Sequence, residues 1–439
     1  MARSRDTQYV SLRAKLEGLP HPDGELASWA YALALAGWAS SWNLRNSVLM
    51  AWLPISPVWV ASFSVALCVA HRCGRRLRVD LAVSGALALL VLGFLPGALR
   101  SGDDGYGPVK LVALVFMVLP IVCAAVVLLD SRQARVRWLW AQVLVGLAVT
   151  VAALASNGAD VLSGRLTLAT VDTITTARLV GAAVIALLAL GLAAPKHGSW
   201  AFPLATLSGM ILVHVGSRGP LLGVLISVLV VVIVGRCFAG RRVVLVLGTL
   251  AITFAAYRYA AADGGSGGRR IVDWVQSGLS DDVRAKLFNE AVHLGENNLM
   301  GIGWGDFAGE SKTGHEIENA QGVAYAHNAF AEAFAEGGLF AVLAFVLVLV
   351  LAVQRLYRLS SDPYDAVVLG TLVYWLLNAQ VSSDFVGNRF MWVSIAVGIA
   401  AYADGRPLLR RRRVTGVILP PSGVKVESTA GHRVAEQPA

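Results

Sequence analysis

The chain has 439 residues, 56% hydrophobic and only 15% charged, with a mean hydropathy of +0.63 and a formal net charge of +9. So little charge on so long a chain excludes an ordinary soluble protein and points to a polytopic membrane protein. The four cysteines, Cys68, Cys73, Cys123 and Cys237, have neither the spacing of a disulfide framework nor that of a zinc site.

The N-terminal segment 1–25 is basic (Arg3, Arg5, Arg13, Lys15), and an apolar stretch follows it without an Ala-x-Ala-type cleavage site. That stretch reads as a retained span rather than a removed signal peptide. Apolar runs then predict twelve helices, at 26–42, 47–70, 80–99, 108–129, 138–155, 177–194, 199–216, 220–237, 243–261, 338–354, 366–381 and 390–404. Asn43 to Asn46 divide the first two only weakly. Gly, Pro and charged residues punctuate most of the other links.

With the N-terminus placed in the cytoplasm, every inward loop is basic, including Arg72-Arg75-Arg76-Arg78, Arg132-Arg135-Arg137 and Arg236-Arg241-Arg242, and the outward elements sum to a net acidic charge. The positive charge is therefore a topological signature and calls for no nucleic-acid partner. The expected fold class is an all-α polytopic membrane protein with about 12 transmembrane helices, N-in and C-in. Spans 1–9 occupy 26–261 and spans 10–12 occupy 338–404. A large helical external loop, 262–337, lies between spans 9 and 10, and a disordered basic tail, 405–439, follows the last span.

A polar external segment of that length marks a functional loop. Gly264-Gly265-Ser266-Gly267-Gly268 opens it. Ser280-Asp281-Asp282 starts a helix with Leu287, Ala291 and Leu294 at helical spacing and Gly295 as its stop. The turn Gly301-Ile302-Gly303-Trp304-Gly305-Asp306-Phe307 follows. It succeeds no predicted strand, as a dinucleotide fingerprint must, and reads as a turn for close packing. A second helix starts near His327, with Phe330, Ala331 and Phe334 on its face.

Candidate chemistry gathers at the external ends. Arg218 lies in the tight link Ser217-Arg218-Gly219-Pro220, next to a helix N-terminus, and the two together suit a phosphate. Arg284 stands in the first turn of the loop helix, and His327 heads the second. Asp384 and Arg389 lie between spans eleven and twelve, and His214 stands four residues before Arg218 on one helical face. Each also has a structural reading: Arg218 on a helix dipole, Arg284 as a solvated charge, His327 as a satisfied polar residue, Asp384 paired with Arg389. No metal-ligating pattern is present; His315-Glu316-Ile317-Glu318 departs from the zinc motif.

Three of these elements carry a resemblance. Arg218 to Leu222 fits an Arg-x3-Leu element. Arg284 with the Gly-rich turn ending in Phe307 fits a loop pattern. His327-Asn328 with Gly338 fits His-Asn-x9-Gly. In these the chain resembles the O-antigen ligase and polymerase superfamily, bacterial membrane proteins that transfer glycans from undecaprenyl diphosphate. The resemblance implies a metal-independent, GT-C-like inverting glycosyltransferase of the plasma membrane, without cofactor, its site facing the periplasm or cell exterior. Its partners are then an undecaprenyl-diphosphate-linked glycan, an acceptor glycolipid or glycan such as lipid A core, and membrane lipid.

In that reading His327 is the base, Arg218 and Arg284 hold the diphosphate, and Asp384, Asn328, His214 and Arg389 are supporting residues. Trp304 and Tyr325 are candidates for stacking on sugars or anchoring at the membrane interface. A surface polysaccharide polymerase shares this chemistry and differs in acceptor. A flippase or transporter is the reading from another class. It is disfavoured by the lack of a repeat between 26–216 and 220–404 and by few intramembrane charges.

Overall fold

The computed structural model describes residues 24–50, 53–74, 81–102, 105–155, 159–160, 165–166, 171–193, 195–235, 258, 282–321 and 324–401. In chain order the helices are α1 (Gly24–Leu44), α2 (Pro57–Cys73), α3 (Leu81–Arg100), α4 (Gly107–Leu128, with a π turn over Leu114–Val118), α5 (Arg132–Ala155), α6 (Thr173–Ala193), α7 (Pro195–Val215) and α8 (Arg218–Val234). They continue with α9 (Asp282–Asn297), α10 (Phe307–Glu310), α11 (Lys312–Gln321), α12 (Ala329–Leu359), α13 (Pro363–Ala379) and α14 (Arg389–Ala400). The one ladder among the described residues pairs Ala159–Asp160 with Arg165–Leu166.

Among the described residues six helices are long and apolar enough to cross a membrane: Leu81–Arg100, Gly107–Leu128, Arg132–Ala155, Thr173–Leu192, Gly198–Val215 and Ala329–Leu359. Pro57–Cys73, Arg218–Val234 and Arg389–Ala400 are shorter apolar helices. The helices α1, α3, α4, α6, α7, α13 and α14 lie close to their predicted limits. The first two predicted spans correspond to separate helices, the second starting at Pro57 and not at 47. Pro57 supplies the preset φ of a first helical residue and needs no intrahelical N–H partner. The predicted ninth span (243–261), the Gly-rich entry to the loop and the C-terminal tail lie outside the described residues, as does nearly all of the N-terminal segment.

The predicted boundary between external loop and span ten at 337/338 coincides with a break: α12, Ala329–Leu359, is two helical segments joined at Gly338, whose backbone is not helical (φ 77°, ψ −171°). The kink frees backbone groups, and the Gly-rich turn takes them up. Ile302 N–H donates to the Ala335 carbonyl (2.9 Å) and Gly303 N–H to that of Glu336 (3.1 Å), while Leu339 N–H donates to the carbonyl of Leu299 (2.8 Å). A Cβ on Gly338 would stand 2.5 Å from Leu299 O, and one on Gly301 would stand 2.2 Å from Glu336 O. The turn and the kink are thus two halves of one joint.

Beyond the kink, Leu339, Phe340, Leu343, Val346, Leu347 and Val350 form an exposed apolar stripe, as a helix facing lipid would. The opposite face meets α3 closely. A Cβ on Gly93 would lie 2.4 Å from the Ala344 Cβ, and one on Gly97 would lie 2.7 Å from Glu336 O. This is small-xxx-small packing, which brings two backbones together where apolar burial alone gives little drive between helices in lipid. Below the joint, Phe94, Trp304, Phe345, Phe385 and Trp392 form an aromatic core, with Trp304 and Phe385 stacked at 5.5 Å.

The interior is more charged than expected. Lys110 of α4, Glu332 and Glu336 are fully buried, and the lysine ammonium bridges both carboxylates. Glu332 also accepts from Phe385 N–H (2.8 Å). At the other end of the bundle, the Arg135 fork grips Asp365 through two bonds (2.7 and 3.1 Å), and Arg72 pairs with Asp130 at 2.8 Å. The two glutamates belong to α12, whose first turns the sequence reading assigns to the loop.

Candidate functional site

His327 sits one residue outside α12. Its backbone is left-handed (φ 55°), a conformation that His tolerates better than most residues and that costs roughly 1 kcal/mol. Asn328 is the N-cap. Its Oδ1 accepts from the N–H of Phe330 (3.1 Å) and of Ala331 (3.0 Å), and its Nδ2 reaches the Gln380 carbonyl at 3.5 Å. The cap fixes where the helix starts, and the left-handed residue before it sets how the imidazole leaves the chain. The Tyr325 ring packs at 4.5 Å from that of His327.

Arg218 opens α8, after Gly216 (φ 66°) and the extended Ser217. The Ser217 side chain makes no capping bond, so the first amides of α8 are left to face whatever lies beyond the helix end. Gly219 lets this end approach the α13–α14 link, since a Cβ there would lie 2.6 Å from Val381.

Arg284 stands in the first turn of α9. Leu287 and Ala291 of α9 pack with Ala331 and Ala335 of α12 and with Phe307 of the Gly-rich turn. Gly295 lies against the Phe334 ring, leaving no room for a side chain. The second end of the loop is held by Glu290, which accepts from the hydroxyls of Ser311 and Thr313 and from Thr313 N–H (3.1 Å). Burial pushes the Glu290 carboxyl up, but these bonds outweigh it and hold the group below the usual carboxylate range.

The result is a cavity of about 270 Å³ lined by Arg218, Arg284, His327, Asn328, Leu222 and Phe288 among others. Three groups distant in sequence therefore meet. The cavity lining combines two guanidinium groups with apolar side chains, which suits a ligand with an anionic head on a greasy chain.

The other sequence candidates stand elsewhere. Asp384 does not line this cavity. Its Oδ2 accepts from Tyr106 Oη (2.8 Å) and its Oδ1 from Gly387 N–H (2.8 Å), so it orders the α13–α14 link instead of orienting His327. The expected Asp384–Arg389 ion pair is not formed. Arg389 stacks over Trp42 (4.8 Å) and Trp38 (5.4 Å). His214, whose Nδ1 lies 3.2 Å from the Met210 carbonyl, is outside the cavity too. Trp304 is wholly buried, with Nε1 donating to the Phe94 carbonyl (3.0 Å), and has no face to offer a sugar.

Tyr325 is half-buried, and burial, aided by the charges of Asp384 and Glu332, pushes its phenol up to about 12. It stays protonated at neutral pH and is a hydrogen-bond donor beside the imidazole. Burial and Asp384 likewise raise the phenol of Tyr106.

Sequence reasoning missed Tyr106, Lys110 and Arg178. A lysine and an arginine inside otherwise apolar spans were the available signal. Arg178 is buried in α6, and its Nη2 donates to the carbonyls of Asn378 and Ser382 (2.6 Å each), pinning the start of the α13–α14 link.

Comparison with known proteins gives one result. No curated protein and no solved structure matches the chain significantly. A family model described as O-antigen ligase matches residues 203–346. That segment runs from within α7 to beyond the kink of α12, and it contains Arg218, Arg284, the Gly-rich turn, His327 and Gly338. This match, over about a third of the chain, supports the O-antigen ligase/polymerase superfamily, and the membrane-length helices fit an integral membrane protein.

Proposed function

We propose that the protein is an O-antigen ligase-like glycosyltransferase that moves a glycan from undecaprenyl diphosphate to an acceptor hydroxyl on the outer face of a bacterial plasma membrane. The observation that carries this reading is the meeting of two arginines and one histidine at a single cavity with an apolar side. The glycosidic carbon of the donor bears a diphosphate. When the acceptor oxygen attacks, the bond to diphosphate breaks and its electron pair leaves on a phosphate oxygen. The departing group needs positive charge more than a proton.

Arg218 and Arg284 offer planar, permanently charged forks for it, and the amide-bearing start of α8 adds to them. The acceptor hydroxyl loses its proton as it attacks. His327 takes that proton, since an imidazole is largely a free base near neutrality. A single displacement inverts the anomeric centre, and the guanidinium groups serve in place of a divalent ion. Leu222 and Phe288 are the apolar contacts for the first units of the lipid chain.

A polymerase would use the same steps with a second lipid-linked glycan as acceptor; the family description favours ligation. The test is complementation of a deletion strain with His327→Ala, followed by gel analysis of surface glycans. Loss of ligation strands full-length chains on the carrier lipid, whereas loss of polymerisation leaves single repeats attached. Unimpaired transfer by the variant would sink the role given to His327.

A further inference from the structure

A second, smaller cavity lies across the α13–α14 link from the first. Gln380 and Val381 of the link face the larger cavity, and Gly387 and Asn388 face the smaller. The smaller one is lined by Asn43, Thr175, Arg178, Asn388 and Arg389 among others. Arg178 and Arg389 are both more than nine-tenths buried. Among the described residues neither forms an ion pair. Arg178 Nε is buried there without a hydrogen-bond acceptor.

The nearby acids are committed elsewhere. Asp172 Oδ1 accepts from Thr175 N–H (2.8 Å), and both oxygens of Asp384 are occupied as described above. Towards the rim, Arg389 (4.8 Å) and Arg45 (4.9 Å) both lie over the Trp42 ring, and Trp42, Asn43 and Arg45 are exposed. Cations therefore line a path from the surface inwards. On the inner side Arg178 donates to the carbonyls of Asn378 and Ser382, which flank Gln380 and Val381 of the first cavity.

Asp172 and Asp384 act on Arg178 and Arg389 from a distance, but among the described residues no carboxylate contacts either fork, and a buried guanidinium N–H without an acceptor, as at Arg178 Nε, is completed by an anion. The enclosed space is only about 20 Å³, room for roughly one oxygen atom with the rest of its group at the rim. We propose that Arg178, Arg389 and Arg45, with Asn43, Thr175 and Asn388, form a second binding site that takes an anionic oxygen of the acceptor, from a phosphate monoester or a carboxylate on its glycan. The assignment to the acceptor rests on the transferase reading above; the anion site itself does not. It gives the two substrates separate anchors on either side of one link, with the acceptor hydroxyl presented towards His327.

Two measurements on the full-length protein test this. The first follows thermal unfolding in zwitterionic detergent with inorganic phosphate or acetate, against chloride at equal ionic strength. At least one of the two anions should stabilise the protein, with Arg389→Gln weakening the apparent affinity on the order of tenfold. Arg45→Gln, an exposed site whose loss leaves the fold intact, should weaken it less, and Arg389→Lys should restore part of it. Arg218→Gln should keep the effect. Phosphate acting alone identifies a phosphorylated acceptor and acetate acting alone a carboxylate.

No stabilisation, or stabilisation lost in Arg218→Gln and kept in Arg389→Gln, overturns the site. Stabilisation by phosphatidylglycerol nanodiscs with neither soluble anion acting assigns it to a lipid headgroup and overturns the acceptor role. The second measurement is glycan transfer. Arg389→Gln and Arg45→Gln should raise the acceptor KM and leave the donor KM unchanged. If transfer is absent even in the wild type while the anion effect persists, the transferase reading fails and the anion site stands.

Discussion

The first two turns of α12 present two contrasting environments. At their N-terminal end, His327 and the Asn328 cap border an open cavity with two guanidinium groups on its walls. On their flank, Glu332 and Glu336 are shut away with Lys110. Both sets of groups are polar and lie within ten residues. The difference is access. Enclosed charges that satisfy one another fix where a helix sits, whereas charges that border a space can also meet a ligand. The helix thus carries its own support on one side and its candidate chemistry on the other.

The sharpest way to break this contrast is at the open end. His327→Ala should lower glycan transfer by about 10²–10⁴-fold, the usual contribution of a positioned general base. Thermal unfolding should change little, because the left-handed backbone is a local cost. A variant that unfolds early and loses transfer in proportion would place His327 with the structural groups instead.

Next is the enclosed cluster. Lys110→Met leaves two carboxylates buried without a cation and should cost about 3–5 kcal/mol, seen as a lower unfolding temperature and poor membrane insertion. Adding Glu332→Gln and Glu336→Gln should recover much of that stability. If the triple variant is as unstable as the single one, the ion pairs are not what holds α12 to α4.

The arginines should respond differently from the lysine. Arg218→Lys and Arg284→Lys keep the charge but lose the fork, and each should reduce transfer roughly tenfold through the donor KM, at unchanged stability. Equal activity with lysine would mean that a point charge is enough. Asn328→Ala removes the cap and should cost about 1 kcal/mol by chemical denaturation, with a further loss of transfer because the cap positions His327.

The smallest effect is expected from Glu290. Its carboxyl is held below the normal range in the folded loop, so its contribution is complete above the unfolded carboxylate value and is lost as the pH falls through the depressed one. Glu290→Gln should flatten the acid limb of loop stability, read by limited proteolysis between neutral and acid pH. A variant with the same acid limb would show that other carboxylates control it.

The sequence by itself determined the helical class and most helix limits, and it singled out Arg218, Arg284 and His327, which line one cavity. Apolar runs of membrane length, Gly and Pro punctuation and the order of short motifs are local features, legible without knowing what touches what. It did not place Asp384, which serves Tyr106 and Gly387 N–H instead of His327, nor Trp304, which fills the core.

Only the tertiary structure decided how the loop helix is joined to the span at Gly338, because a distant turn supplies the hydrogen bonds that the break leaves over. It also decided which charges are enclosed and which line a space. Lys110 meets Glu332 and Glu336 from more than two hundred residues away, and Arg178 and Arg389 meet across the bundle. Pairing and exposure are properties of neighbours in space, and residue order does not specify them.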